Sequence, residues 1–72
     1  MTSLHTARYR QFRKRLKEAR EAAGLTQVDA AKALHRPQSF VSKVESGERR
    51  VDVIELEAFA KLYRKPLSFF LH

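Results

Sequence analysis

The 72-residue chain has no cysteine, no tryptophan, two glycines and two prolines. Without cysteine, neither a disulfide nor a thiolate metal site can form, which suits a reducing compartment. The three histidines, His5, His35 and His72, are scattered without ligand spacing, so no metal is expected. No apolar run approaches the roughly 20 residues that span a bilayer. The opening MTSLHTARYRQF turns basic where a secretory signal would be apolar. A cytoplasmic location is expected. Strand signals are also scarce: there is no sustained period-two alternation and no Asn-Gly or Asp-Gly hairpin pair. There is no glycine-rich phosphate loop, nucleophile elbow or His-Glu-x-x-His. Ser42 has no local base partner, and the eight carboxylates are spread along the chain without an obvious paired site. No enzyme, no small-molecule substrate and no cofactor are expected.

What the chain does have is positive charge, a formal net +7. Residues 1–24 carry seven basic and two acidic side chains, residues 25–50 five and three, and residues 51–72 three of each. The excess therefore lies in the front and middle. A small basic domain points to a polyanion, either nucleic acid or an anionic membrane surface.

Helical spacing recurs along the chain. Tyr9, Phe12, Leu16, Ala19 and Ala23 follow steps of three and four, and Gly24 then offers a C-cap. Thr26 with Asp29 has the spacing of a capping box, opening an alanine-rich helix to Leu34. His35 and Arg36 form a tight connection. Pro37 can open the next helix, which stops at Gly47. Asp52 with Glu55 repeats the start signature before Val53, Leu56, Phe59, Ala60 and Tyr63. Arg64 and Lys65 suit the end of that helix dipole, and Pro66 opens a last apolar piece, Leu67 to Leu71. Five short helices in one all-α domain are expected, preceded by a flexible arm over residues 1–8. Leu16, Phe12, Val41, Val44, Leu56 and Phe59 are the expected core.

Two short helices joined by a tight turn make a helix-turn-helix. Ala31 is small enough for close crossing of the second and third helices. Val41 and Val44 give the third an apolar inner edge, and Gln38, Ser39, Ser42 and Lys43 give it a polar outer face. Such a helix fits the major groove, where Gln pairs with adenine, Lys with guanine and Ser with several base edges.

The stretch LTQVDAAKALHRPQSFVSKVESGERR, with EAREAAGLTQ before it and DVIELEAFAKLYRKPLSFFL after it, resembles the phage-repressor/Cro-like (XRE-type) helix-turn-helix family over residues 9–71. The resemblance implies a compact five-helix, lambda-repressor-like domain and double-stranded DNA as partner. It implies phosphate contact by Gln27, Arg49 and Arg50, and base or phosphate contact by Gln38, Ser39, Ser42 and Lys43. Phe40 falls where a side chain points at thymine methyls or at the backbone. Arg20 and Glu45 match a partly buried ion pair joining the first helix to the third. Three positions depart from the family: His35 replaces a turn glycine, Arg36 an apolar residue, and Pro37 a capping serine. A left-handed backbone is therefore expected at His35.

A single module of this kind buries too little DNA for tight binding, so a two-fold homodimer on a pseudopalindromic site is expected. Leu67, Phe69, Phe70 and Leu71 are the candidate dimer interface, since so small a core has no room for all four. With them goes the leading expectation of a sequence-specific regulator, a repressor. The alternative is an antitoxin-like or adaptor protein that holds a protein partner through the same apolar end and uses DNA binding for autoregulation. A basic amphipathic membrane binder fits less well, because the polar third helix and the helix-turn-helix spacing have no role in it.

Overall fold

Thr6 opens the first helix. Its hydroxyl accepts the Tyr9 amide at 3.1 Å, ahead of α1 (Ala7–Ala22). The computed structural model describes residues 6–71. Four more helices follow: α2 (Gln27–Ala33), α3 (Gln38–Ser46), α4 (Val53–Tyr63) and α5 (Leu67–Leu71). There is no strand among the described residues. The architecture is all-α. Of the expected eight-residue arm, residues 1–5 lie outside the described residues, as do His5 and His72. Thr6, Ala7 and Arg8 belong to the start of α1.

Local chemistry fixes the helix starts. Thr26 and Asp29 exchange side chain–amide hydrogen bonds of 3.0 and 3.1 Å, and Asp52 and Glu55 do the same at 3.1 and 2.7 Å. Pro37 is the N-cap of α3 and offers no side-chain bond. Its ring supplies a preset φ instead.

The ends of α1 to α4 share one device. Gly24, His35, Gly47 and Arg64 all have left-handed φ, at 75°, 57°, 88° and 58°. After each, the next amide reaches back five residues: Leu25 to Arg20, Arg36 to Ala31, Glu48 to Lys43, and Lys65 to Ala60, at 2.9–3.1 Å. These bonds satisfy carbonyls that a helix end leaves open. Both glycines of the chain are used this way. His35 and Arg64 adopt the same conformation with a Cβ in place, which costs more.

The core is built from Leu16, Ala19, Ala30, Ala31, Val41, Val44, Phe59, Ala60, Tyr63 and Phe70, with Phe40 at its edge. Phe12 and Leu56 are half-buried against it. Val53 and Ile54, in the first turn of α4, are exposed. The assignment of Phe70 to a dimer interface is corrected. Its ring is 1% exposed and closes the core, a burial that contributes roughly 2–3 kcal/mol. A five-residue helix is unstable alone, so this anchor holds α5 in place. Phe69 is half-buried, with the Arg15 guanidinium 5.3 Å and the Lys65 ammonium 4.9 Å from its ring centre. Leu67 and Leu71 remain exposed, one helical turn apart.

Candidate nucleic-acid interface

At about 100° per residue, Gln38, Ser39, Ser42, Lys43 and Ser46 share one half of α3. Val41 and Val44 share the other and are buried. Gln38, Ser39 and Lys43 are exposed and Ser42 is half-exposed. Among the described residues, none of the side chains of Gln38, Ser39, Ser42 and Lys43 is spent on an internal hydrogen bond or ion pair. Ser46 differs, since its hydroxyl donates to the Lys43 carbonyl at 3.2 Å and to Glu48 at 3.0 Å.

A glutamate stands on each flank of this polar face. On one side Glu45 binds Arg20, with Nε to Oε2 at 2.7 Å and Nη2 to Oε1 at 3.1 Å. Arg20 Nη1 also donates to the Leu25 carbonyl at 2.8 Å. The bonded carboxylate raises the Arg20 pKa against the opposing effect of burial. Gln27, the first residue of α2, donates its Nε2 to Glu45 Oε1 at 3.1 Å. One carboxylate thus joins α1, α2 and α3. Arg13 adds a second tie, with Nη1 3.5 Å from the Glu45 carbonyl. Its guanidinium covers Gly47 so closely that a Cβ there would lie 2.6 Å from Nη1. Tyr63 packs behind this group, and burial pushes its phenol pKa up, aided by the Glu45 charge.

On the other flank Glu55 binds Arg49 through both oxygens, at 2.8 and 2.9 Å. Arg36 Nη1 lies 3.5 Å from the same carboxylate. The Arg49 hydrogen bonds hold the Glu55 carboxyl down at about 2; burial opposes them and the Asp52 amide assists. Both guanidiniums lie over the Phe40 ring, at 3.9 Å for Arg36 and 4.7 Å for Arg49. The same ring stacks on Phe59 at 5.8 Å and 9°.

This geometry corrects the reading of Phe40 as a DNA contact. At 6% exposure the side chain is covered by Phe59 beneath and arginines above. It faces about 60° around the helix from Lys43, past the edge of the polar half. Arg49, expected to point at phosphates, is bonded to Glu55. Arg50 is exposed and lies 5.1 Å from the Tyr9 ring centre. Tyr9 also accepts the Val51 amide at 3.3 Å, which fixes the loop after α3 to α1. Gln38, Ser39, Ser42 and Lys43 come together as one face, with Gln27 beside them. Arg36 and Glu55 had no place in the sequence reading beyond a turn and a cap. Their partnership spans 19 residues, and no spacing rule reaches it.

Among the described residues no group of His, Asp or Glu could hold a metal ion, and no helix is long and apolar enough to cross a membrane.

Comparison with known proteins agrees with this geometry. A family described as a helix-turn-helix domain matches residues 11–67. No curated protein matches the chain. Among solved structures, an XRE-family like protein from Pseudomonas syringae pv. tomato str. DC3000 superposes with a TM-score of 0.84 at 49% identity, covering 93% of this chain and 82% of that one. With its two-glutamate frame around an unspent polar helix face, the chain belongs to the XRE-type helix-turn-helix family of DNA-binding regulators.

Proposed function

We propose that the protein is a repressor that binds a pseudopalindromic operator in cytoplasmic DNA as a homodimer and reads bases with Gln38, Ser39, Ser42 and Lys43. The carrying observation is the outer face of α3. Its four polar side chains have no internal use, while Gln27 and Arg49 beside it are bonded to Glu45 and Glu55. Presented groups of this kind match the donors and acceptors of the major groove. Arg50 and the exposed cations of α1 add sequence-blind attraction to phosphates. Gln27 sits at the positive end of α2, where a phosphate is favoured, and its carboxamide is already oriented by Glu45.

The dimer rests on Leu67 and Leu71, with Phe69 beside them. Leu71 also lines an apolar groove with Tyr9, Phe12 and Phe70, open to solvent on the side of α1. Residues 51–72 carry no net charge, so this end opposes self-association less than the strongly basic α1 does.

The test is a selection of genomic fragments by purified protein at ~0.15 M salt, a strength that screens weak long-range attraction. A single two-fold symmetric motif supports both the reading face and the dimer. Sequence-blind enrichment sinks base reading by this chain alone, and a non-symmetric motif sinks the homodimer. Co-purification of a heteromeric partner in place of a self-dimer would favour the antitoxin-like or adaptor reading.

A further inference from the structure

We propose that Arg36 and Arg49 form a clamp for a single DNA backbone phosphate, with Glu55 as its positioning residue. The proposal rests on the DNA-binding reading and adds a site at the flank of α3.

The two arginines come from opposite ends of the reading helix. Arg36 lies in the turn before α3 and Arg49 in the loop after it. Nevertheless both guanidiniums lie over one ring, Phe40, and share one carboxylate, Glu55. Stacking on an aromatic face fixes the plane of a guanidinium, so its N–H edges point in set directions. The carboxylate is the inner member: 14% of the Glu55 side chain is exposed, against 40% for Arg36 and 39% for Arg49. Arg49 spends donors on Glu55 and on the Arg50 carbonyl, and Arg36 makes only the 3.5 Å contact, so N–H groups on both are unspent.

Charge points to the ligand. Two guanidiniums share one carboxylate, so one positive charge is left over. Asp52, the other nearby anion, accepts the Glu55 amide at 2.7 Å and caps the positive end of α4. A phosphodiester carries one negative charge and two acceptor oxygens, and the guanidinium fork suits that geometry. Phe40 lies about 60° around α3 from Lys43, which puts the clamp beside the base-reading face and not on it. The ligand is therefore backbone and not a base edge.

The experiment measures duplex affinity against salt for the wild type and Arg36→Gln/Arg49→Gln, on the selected duplex and on a scrambled one of equal length. Each protomer of the dimer holds one such phosphate, so the clamp predicts that the slope of log affinity against log salt falls by about two for the dimer, equally on both duplexes. A fall of about four means that the two arginines of each protomer hold separate phosphates, and no fall means a purely structural role. Either result overturns the clamp. Losing both arginines leaves Glu55 without ionic partners, so Arg36→Gln/Arg49→Gln/Glu55→Gln provides the same comparison without a stranded charge.

Single methylphosphonate substitutions then locate the site. The wild type should weaken at one phosphate per half-site to which the triple variant is indifferent. Equal sensitivity of the two proteins at every phosphate refutes the assignment. Glu55→Gln keeps both cations, so a positioning role predicts an unchanged salt slope with weaker binding to both duplexes. Unchanged affinity would reduce Glu55 to a helix cap. If the wild type binds no duplex, the DNA-binding reading and the clamp fall together. If it binds and the slopes coincide, the clamp falls alone.

Discussion

Arg20 Nε and Glu45 Oε2 lie 2.7 Å apart with 10% and 6% of their side chains exposed. The pair connects the first helix of the chain to the reading helix. Removing one partner strands the other charge in a nearly dry site. Glu45→Ala should therefore lower unfolding stability by ~3–5 kcal/mol. The double replacement Arg20→Met/Glu45→Leu should lose much less, since neither charge is then left unpaired. Urea unfolding of the three proteins checks this. A similar loss in the single and double variants would refute the account.

The left-handed helix ends give a prediction of opposite sign. His35→Gly and Arg64→Gly should each raise stability by ~1 kcal/mol, because glycine reaches that conformation without steric cost. The two sites are far apart in sequence and share no partner, so the gains should add. Gly47→Ala should be more damaging than Gly24→Ala. At Gly47 a Cβ meets the Arg13 guanidinium, while at Gly24 it meets nothing within 4 Å. Thermal melting ranks all four.

Base reading and charge attraction separate by specificity. Gln38→Ala and Lys43→Ala should each weaken binding to the selected duplex by ~1–3 kcal/mol and relax base preference. Arg50→Ala should weaken binding to selected and scrambled duplexes alike. Equal losses on both duplexes for Gln38→Ala would remove it from the reading face.

Acid should weaken the fold through Glu55. Its folded pKa lies below the unfolded value, so its stabilisation is fully present above the unfolded pKa near 4.5. That stabilisation is lost as pH falls towards about 2. Denaturant midpoints should drop across that window. Glu55→Gln should flatten this acid limb, and a limb of the same depth in the variant would place the effect elsewhere.

If Leu67 and Leu71 form the dimer, Leu67→Glu/Leu71→Glu should produce a monomer by sedimentation without loss of helical content, because both residues are exposed. A dimer that persists would move the interface to another surface.

The helix starts were legible because their chemistry is local. Thr26 with Asp29 and Asp52 with Glu55 are each three residues apart, and the structure contains both boxes. The polar and apolar halves of α3 could be read for the same reason. Phe40 was misread because it lies at the boundary between those halves, where a small change of angle decides the neighbour. Only the position of Phe59 shows that the ring turns inward. Phe69 and Phe70 are adjacent in a short helix, and periodicity cannot say which one faces α1. The Arg64 backbone carries no mark of its own, since an arginine at a helix end also suits the dipole. Arg13 over Gly47 and Arg36 beside Glu55 are meetings of distant segments, which only the fold reveals.

The two glutamates flanking α3 have a consequence for how this protein changes over generations. Each fixes one edge of the helix to other elements, through Arg20 and Gln27 on one side and Arg49 and Arg36 on the other. The helix is therefore held by its buried Val41 and Val44 and by its two edges, and Gln38, Ser39, Ser42 and Lys43 have no share in holding it. Positions 38, 39, 42 and 43 are free to vary at little structural cost, so a lineage can acquire a new target sequence while the mounting of its reading helix stays the same.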